Sequence, residues 1–571
     1  MKYHWLLSPA QPALRDFLAK ELDLSALAAQ CLLNRGLSEP ESARRFLQPQ
    51  LKHLSDPSLL PAMNAAVERL WRAREEGEPL VIFGDYDVDG VSSAALLIEV
   101  LERLGWKVNC YLPSRLDEGY GLSQDGVENC LAKFPTKLLL AVDCGSTAVS
   151  QIDWLRQKGV DVLVLDHHQV ADPAPQAAAL VNPQLGSGNS RKFTELCSVG
   201  IAFKLAHAIV RHGRQMGWPA ALSFDLRPLL DLVALGTIAD LVPLTGENRI
   251  LVSAGLEKLN VSQRPGLSAL KRVAQAGAPI GVYEVGFQLA PRLNAAGRLE
   301  NALKALELLR AKDAMTAEPL ARELDSQNRE RQRIERGIAE EVIGAIRAKF
   351  NPQTDYVLVE GGLLWHVGVV GIVASRVLRE FYRPTLIVGG ERDEWRGSGR
   401  SIEGFDLAAA LRACGDLLIR HGGHAMAAGL TLHPDKVDAL RSRLNELARR
   451  TLKPDMLQPS LRLDSEVALS DVTPSCLAEL GRIGPFGQGN PPVQLVARAV
   501  ACQRPMQRMG KDQQHAKLWV NDGHTTHEAV WWNCPHSDQP AGRFDLAFTP
   551  QLNEFNGRST IQLKVLDWRP A

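Results

Sequence analysis

A chain of 571 residues, 45% hydrophobic and 23% charged, has the makeup of a folded protein of roughly three or four domains and excludes a disordered or fibrous one. Its 65 basic and 65 acidic residues cancel, so a polyanion would have to be held in a local basic groove. Nine scattered cysteines without a Cys-x-x-Cys pair support neither a zinc ribbon nor a disulfide framework, and no apolar run reaches membrane-spanning or signal-peptide length. A cytoplasmic, reducing setting and no membrane contact are expected.

In chain order, residues 1–75 read as a helical region, with Leu-rich patterns broken by Pro40, Pro49, Pro57 and Pro61. From 76 to about 210, apolar runs alternate with helical patterns, the signature of a parallel sheet covered by helices. Val91 to Leu104 fits a helix that Gly105 stops. Leu229 to Asp240 reads as a buried helix delivering Asp240 at its end. Residues 315–350 form the longest helical candidate, with a stripe of Leu320, Leu324, Ile334, Ile338, Val342 and Ile346; its dense Arg and Glu predict a solvated helix laced with i,i+4 pairs between two domains. A second α/β unit is expected over 351–453, with strands Tyr356–Glu360 and Pro384–Val388 around a helix Gly371–Phe381. Residues 454–571 turn to short strands, and Asn556-Gly557 between two of them predicts a hairpin in a small β-barrel. There Trp519, Trp531, Trp532, Phe544, Phe548 and Phe555 interleave with Lys511, Lys517, Arg543 and Arg558, a pattern that suits either a barrel core or a stacking platform for single strands.

Three of the apolar runs end in acids or histidines: Phe83-Gly84 into Asp85-Tyr-Asp87-Val-Asp89-Gly90, Val142 into Asp143, and Leu165 into Asp166-His167-His168. In an open parallel sheet, such groups collect beyond the carboxyl ends of the strands. A lone Asp after a strand is usually a helix cap or turn residue. Convergence of Asp85, Asp87, Asp89, Asp143, His167 and Asp240 is better explained by cations. Fully extended, the three alternating acids would lie about 7 Å apart, too far for one ion that binds oxygen at roughly 2.0–2.3 Å. Either the loop curls at Gly84 and Gly90, or the acids divide between two ions about 3.5–4 Å apart. Oxygen donors with an imidazole suit Mn²⁺, Mg²⁺ or Co²⁺.

These stretches, with Gly236-Thr-Ile-Ala-Asp240, resemble the ordered motifs of the DHH phosphoesterase family. The resemblance continues through Pro113-Ser-Arg-Leu-Asp-Glu-Gly-Tyr-Gly121, Pro291-Arg-Leu-Asn-Ala-Ala-Gly-Arg298, Trp365-His-Val-Gly-Val-Val-Gly-Ile-Val-Ala-Ser-Arg376, Gly397-Ser-Gly-Arg-Ser401 and Gly422-Gly-His-Ala-Met-Ala-Ala-Gly429. It covers nearly the whole chain. Many members carry a His four residues before the first Asp of an Asp-x-Asp pair; here that position is Phe83, and Asp85 is the additional acid, as in the family's exonuclease branch.

The resemblance implies a DHH catalytic α/β domain over 76–314, the long connecting helix, a DHH-associated α/β domain over 351–453, and an OB-like β-barrel at the end. It implies a single-stranded-DNA-specific 5′ to 3′ exonuclease of DNA repair and recombination, using two Mn²⁺ or Mg²⁺ ions held by Asp85, Asp87, Asp89, Asp143, His167 and Asp240. His168 would serve the scissile phosphate or leaving group, with Asp166 orienting its neighbours. Arg298, Ser398, Arg400 and His424 would bind the 5′-phosphate, and Arg115 and Tyr120 would narrow the entrance. Single-stranded DNA is the expected partner; a single-strand DNA-binding protein and a helicase are expected at family level, and the enzyme is expected to be a monomer. Rival readings are a small-substrate phosphoesterase and a DNA-binding scaffold with a decayed site.

Overall fold

The computed structural model describes residues 3–114, 117–119, 121–391, 393–535, 539–555 and 558–571. Its first sheet is parallel throughout, in the spatial order Val108–Tyr111, Leu80–Gly84, Leu138–Val142, Asp161–Leu165, Ala179–Val181. Leu80–Gly84 and Leu138–Val142 are buried at every position, as strands covered by helices on both faces must be. Each such Leu, Val or Ile side chain contributes about 1.5–3 kcal/mol by leaving water. Chain order reverses between these two strands, so the crevice for reactive groups opens beyond Gly84 and Val142.

The helix Val88–Leu104 follows at once and ends in Gly105 with φ +101°, and Leu230–Ala239 is a buried helix whose C-cap is Asp240. Ala314–Lys349 is one 36-residue helix. It differs from its expected solvated character: Asp325, Gln327, Asn328, Arg331 and Glu335 are buried. The reason is its position, packed between the catalytic-side helices and Val370–Phe381, where polar side chains pair across the contact.

The second sheet is mixed, ordered Arg420–His424, Ala427–Leu432, Trp395–Arg400, Thr385–Gly390, Leu358–Leu363. Its first strand starts later than expected and runs through Gly361 and Gly362. The third sheet closes on itself through pairing of Leu495–Cys502 with His515–Asn521, making the barrel. The paired long strands Arg543–Phe555 and Arg558–Pro570 form its hairpin; the Asn556-Gly557 turn lies outside the described residues.

The first 75 residues divide. They open with a strand, His4–Leu7, which pairs in parallel with Ser460–Leu463, and the helices Pro12–Leu22 and Ala26–Leu33 share the barrel's apolar core. The helix Met63–Glu75 belongs to the core of the first sheet.

Candidate active site

The chain turns sharply after Gly84, and Asp87 caps the next helix, its Oδ1 accepting the N–H groups of Asp89 (2.9 Å) and Gly90 (3.1 Å). This turn needs glycine at 90, because a Cβ there would fall 2.6 Å from the Asp85 carbonyl oxygen. It brings Asp85 and Asp87 together with Asp143, their oxygens within 4.8 Å of one another. Asp89, in the first turn of that helix, sits with Asp240. The acids therefore divide, and the loop also curls.

Asp143 is buried with φ +64°, a left-handed conformation that costs a side-chain-bearing residue strain and occurs mainly where function requires it. Its Oδ1 accepts from Ser198 Oγ at 2.8 Å. Asp89 accepts the Ser198 and Val199 N–H groups at 2.7 and 2.8 Å, placing it at the start of the helix Ser198–Gln215. His167 Nε2 is buried without a hydrogen bond among the described residues. Around it stand Asp143 Oδ1 at 3.6 Å, Asp240 Oδ2 at 3.6 Å and Asp89 Oδ2 at 4.0 Å. Ligand atoms each about 2.1 Å from one ion lie roughly 3–4 Å apart, so this arrangement fits a divalent cation.

Crowding is visible in the titration behaviour. Burial and then the Asp87 charge raise Asp89 to about 7. Burial, with Asp89 and Asp87, raises Asp240 to about 9, and burial with the neighbouring carboxylates holds Asp143 well above the carboxylate range. Burial lowers His167 to about 4, keeping it neutral as a ligand must be. Cys197 also adjoins Asp89 and Asp240, but burial pushes its thiol well up, so it stays protonated.

Above pH 7, where His167 is neutral folded or unfolded, Asp89, Asp143 and Asp240 bind protons in the folded apoprotein that the unfolded chain has released. Their folded pKa values lie above the unfolded ones, so this stability is lost as pH rises toward 9. The metal-free protein is expected to melt at falling temperature from pH 7 to 9, and Mn²⁺ to raise the midpoint more at pH 9 than at pH 7. Differential scanning fluorimetry reads both; a flat apo profile would show that the acids do not share one crowded site.

Asp166 is fully engaged elsewhere. Its Oδ1 accepts the N–H groups of His167 (2.8 Å) and His168 (3.1 Å) and bonds His168 Nδ1 at 2.7 Å, while Oδ2 accepts Ser146 N–H at 3.0 Å. Burial opposes its ionisation, but the His168 bond and charge win and hold it below the usual range. The same contact raises His168 against its own burial. Asn182 ties the pair down, donating to Ser146 Oγ and His168 O at 2.8 Å each.

The helix Ala290–Leu299 joins this cluster to the second α/β unit. Asn294 Oδ1 accepts Val88 N–H at 3.1 Å, and a Cβ on Gly297 would meet the Tyr86 carbonyl at 2.6 Å. Arg298 Nη1 donates to Gly368 O at 3.1 Å. Ser398 and Arg400 lie together, Arg400 Nη1 donating to Ser398 Oγ at 3.0 Å, in a cavity of about 500 Å³ also lined by Arg396 and Arg420. Arg298 does not line that cavity, and His424, exposed at the end of its strand, does not either. Arg115 and Tyr120 lie outside the described residues. In the barrel, Trp531, Phe544 and Phe548 are core, whereas Trp532 is exposed and Arg504 stacks on Trp519 at 3.3 Å.

Sequence reasoning passed over Ser198, Asn182 and Asn294. The first opens a helix like any capping serine, and Asn294 stood inside a stretch read only for its arginine.

Comparison with known proteins gives matches along the chain. Residues 79–237 match the DHH family N-terminal domain, 354–450 the DHHA1 domain and 463–567 the RecJ OB domain. The chain is 37% identical to the single-stranded-DNA-specific exonuclease RecJ of Bacillus subtilis, over 99% of this chain and 71% of that protein. It is 33% identical to the Escherichia coli protein of the same name, over 95% and 96%. The crystal structure of RecJ from Thermus thermophilus in complex with Mn²⁺ superposes with a TM-score of 0.85 at 29% identity, covering 100% of this chain and 80% of that one. A manganese-bound exonuclease RecJ gives 0.60 at 35% identity, over 69% and 96%.

Proposed function

This chain belongs to the RecJ family of single-stranded-DNA-specific exonucleases, and from that premise we propose that it degrades single-stranded DNA from the 5′ end, releasing 5′-mononucleotides. The observation that carries this reading is the convergence of three carboxylates on the buried His167 Nε2 at the sheet's switch point. Asp85, Asp87, Asp89, Asp143, Asp240 and His167 would hold two divalent cations, Mn²⁺ or Mg²⁺. When bound, these supply an acidic water for attack at neutral pH and neutralise the scissile phosphate.

The remaining work falls to the chain. Water attacks phosphorus, the bond to the terminal nucleotide's 3′ oxygen breaks, and that oxygen takes a proton. His168 is proposed to give it: its Nδ1 is bonded to Asp166, an acceptor only, which leaves Nε2 as the transferring atom. Asp166→Asn removes the charge that raises His168. The expected result is a kcat lower by about 10²-fold, with the alkaline limb of the pH–rate profile moved to lower pH. An unmoved limb would show that His168 does not carry the proton.

Polarity requires a site for the strand's end. Arg298, Ser398, Arg400 and His424 are proposed to bind the 5′-phosphate and Arg115 and Tyr120 to narrow the entrance; the basic cavity around Arg400 supports the part of Ser398 and Arg400. A monomer acting in the cytoplasm, loaded by a single-strand DNA-binding protein and a helicase, completes the proposal; all nine cysteines are free thiols, and no helix among the described residues is long and apolar enough to cross a membrane.

The test is digestion of DNA labelled at either end, single-stranded or duplex, with Mn²⁺, Mg²⁺ or EDTA. Metal-dependent loss of single strand from the 5′ end is expected. Survival of the polymer with hydrolysis of dinucleotides would make this a small-substrate phosphoesterase, and binding without cleavage a scaffold.

A further inference from the structure

Just before the helix that carries Asn294 and Arg298, the chain makes one short helical turn, Val282–Glu284, and a π-helical turn, Val285–Leu289. Such π turns are rare and occur often at functional sites. Val285 and Leu289 are buried and anchor the segment. Its outer face carries Tyr283 and Phe287, four residues apart, 61% and 70% exposed. Their rings stack on each other, centroids 5.0 Å apart and planes 29° apart. Single exposed apolar residues need no explanation, but a stacked exposed pair leaves a broad π face in water.

What adjoins the pair suggests its occupant. Phe287 is one wall of a cavity of about 480 Å³ whose other side presents Arg298, Arg331, Arg336 and Arg376 against one carboxylate, Glu335. Glu335 is buried and bridges two of the arginines, with Arg376 Nε at 2.6 Å and Arg331 bonded on the other oxygen, so both guanidinium groups are fixed toward the cavity. Asn294, which holds the acidic loop through Val88 N–H, lines the same cavity, placing it against the active site. An aromatic face beside a basic wall is the combination that holds single-stranded nucleic acid, base on ring and phosphate on arginine.

We propose that the Tyr283–Phe287 pair is a base-stacking platform for the DNA single strand at the mouth of the active site. The inference rests on the exonuclease reading and adds the element that grips the strand there, independently of base identity, since every base offers a π face. Its consequence is that the pair orders one nucleotide beside the cluster before cleavage.

The test uses the full-length protein and a single-stranded oligonucleotide with 2-aminopurine at successive positions from the 5′ end. With EDTA present, wild type is expected to quench the fluorophore strongly at one or two positions. Tyr283→Ala/Phe287→Ala is expected to lose that quenching and to raise KM roughly ten-fold. Phe287→Trp should keep both, and Met315→Ala, exposed at the start of the long helix, should behave as wild type. Both aromatics are exposed, so the double variant is expected to fold; an unchanged melting temperature checks this. Wild type that cleaves, with a double variant of equal KM and quenching, overturns the platform and would point to a protein partner for the aromatic face. Wild type that cleaves no DNA in any metal overturns the exonuclease reading instead.

Discussion

Asp143→Asn is expected to abolish nuclease activity, by at least about 10³-fold in kcat, while making the metal-free protein more stable. Asparagine is the informative choice. It tolerates the left-handed backbone at φ +64° that alanine would strain, and its side-chain oxygen can still accept from Ser198 Oγ. What it removes is a buried carboxyl whose ionisation is opposed by burial and by Asp85, Asp87, Asp89 and Asp240, so that the folded apoprotein must keep it protonated well above the carboxylate range. Relieving it should stabilise the apoprotein by about 1–4 kcal/mol at pH 8, a rise of several degrees in melting temperature. The stabilising response to Mn²⁺ should shrink at the same time. A variant both inactive and destabilised would mean that Asp143 serves the fold. Inactive and stabilised is the signature of a group retained for chemistry against its own cost.

The strand–acid junctions were legible because a buried parallel strand writes a continuous apolar run, and the first polar residue after it marks the carboxyl edge. Hence the sequence places Asp85, Asp143 and Asp166 on one edge and Asp240 at a helix end. What stayed hidden is non-local. Nothing near Ser198 announces that its N–H will hold Asp89 from 109 residues away. The strand His4–Leu7 has no local strand partner; its pairing to Ser460–Leu463 is set by the fold of the whole chain. Charge density misled in the long helix, because Arg331 and Glu335 satisfy each other at i,i+4 as a solvated pair would, yet are buried against Arg376. A sequence shows the pairing but not the dielectric around it. The exonuclease branch was legible through motif order, and the separation of Arg298 and His424 from the Arg400 cavity was not.

Arg249→Met is expected to loosen the N-terminal and barrel unit from the catalytic core and to lower stability by about 2–4 kcal/mol. Arg249, on the helix Gly246–Val261, is 2% exposed and faces no carboxylate among the described residues. It donates to Phe46 O (2.7 Å), Arg482 O (3.2 Å) and Gly484 O (2.5 Å), and its guanidinium lies 3.6 Å over the Phe46 ring. One side chain of the first core thereby holds both halves of the second unit. Two effects oppose each other. Burial, with Arg35, lowers this guanidinium to about 10, a cost on the order of 3 kcal/mol that methionine would relieve. Three charge-assisted bonds are lost, each worth about 1.5–3 kcal/mol, and three carbonyls are left in a dry joint. The losses win. The expected readout is a separate, earlier unfolding transition followed by tryptophan fluorescence, with proteolysis in the connector between Leu47 and Met63. Cleavage of a dinucleotide should stay near the wild-type rate, because the acidic cluster is untouched. A single unshifted transition would show that the contact of Leu244 N–H with Gln488 O and its neighbours suffices to hold the unit.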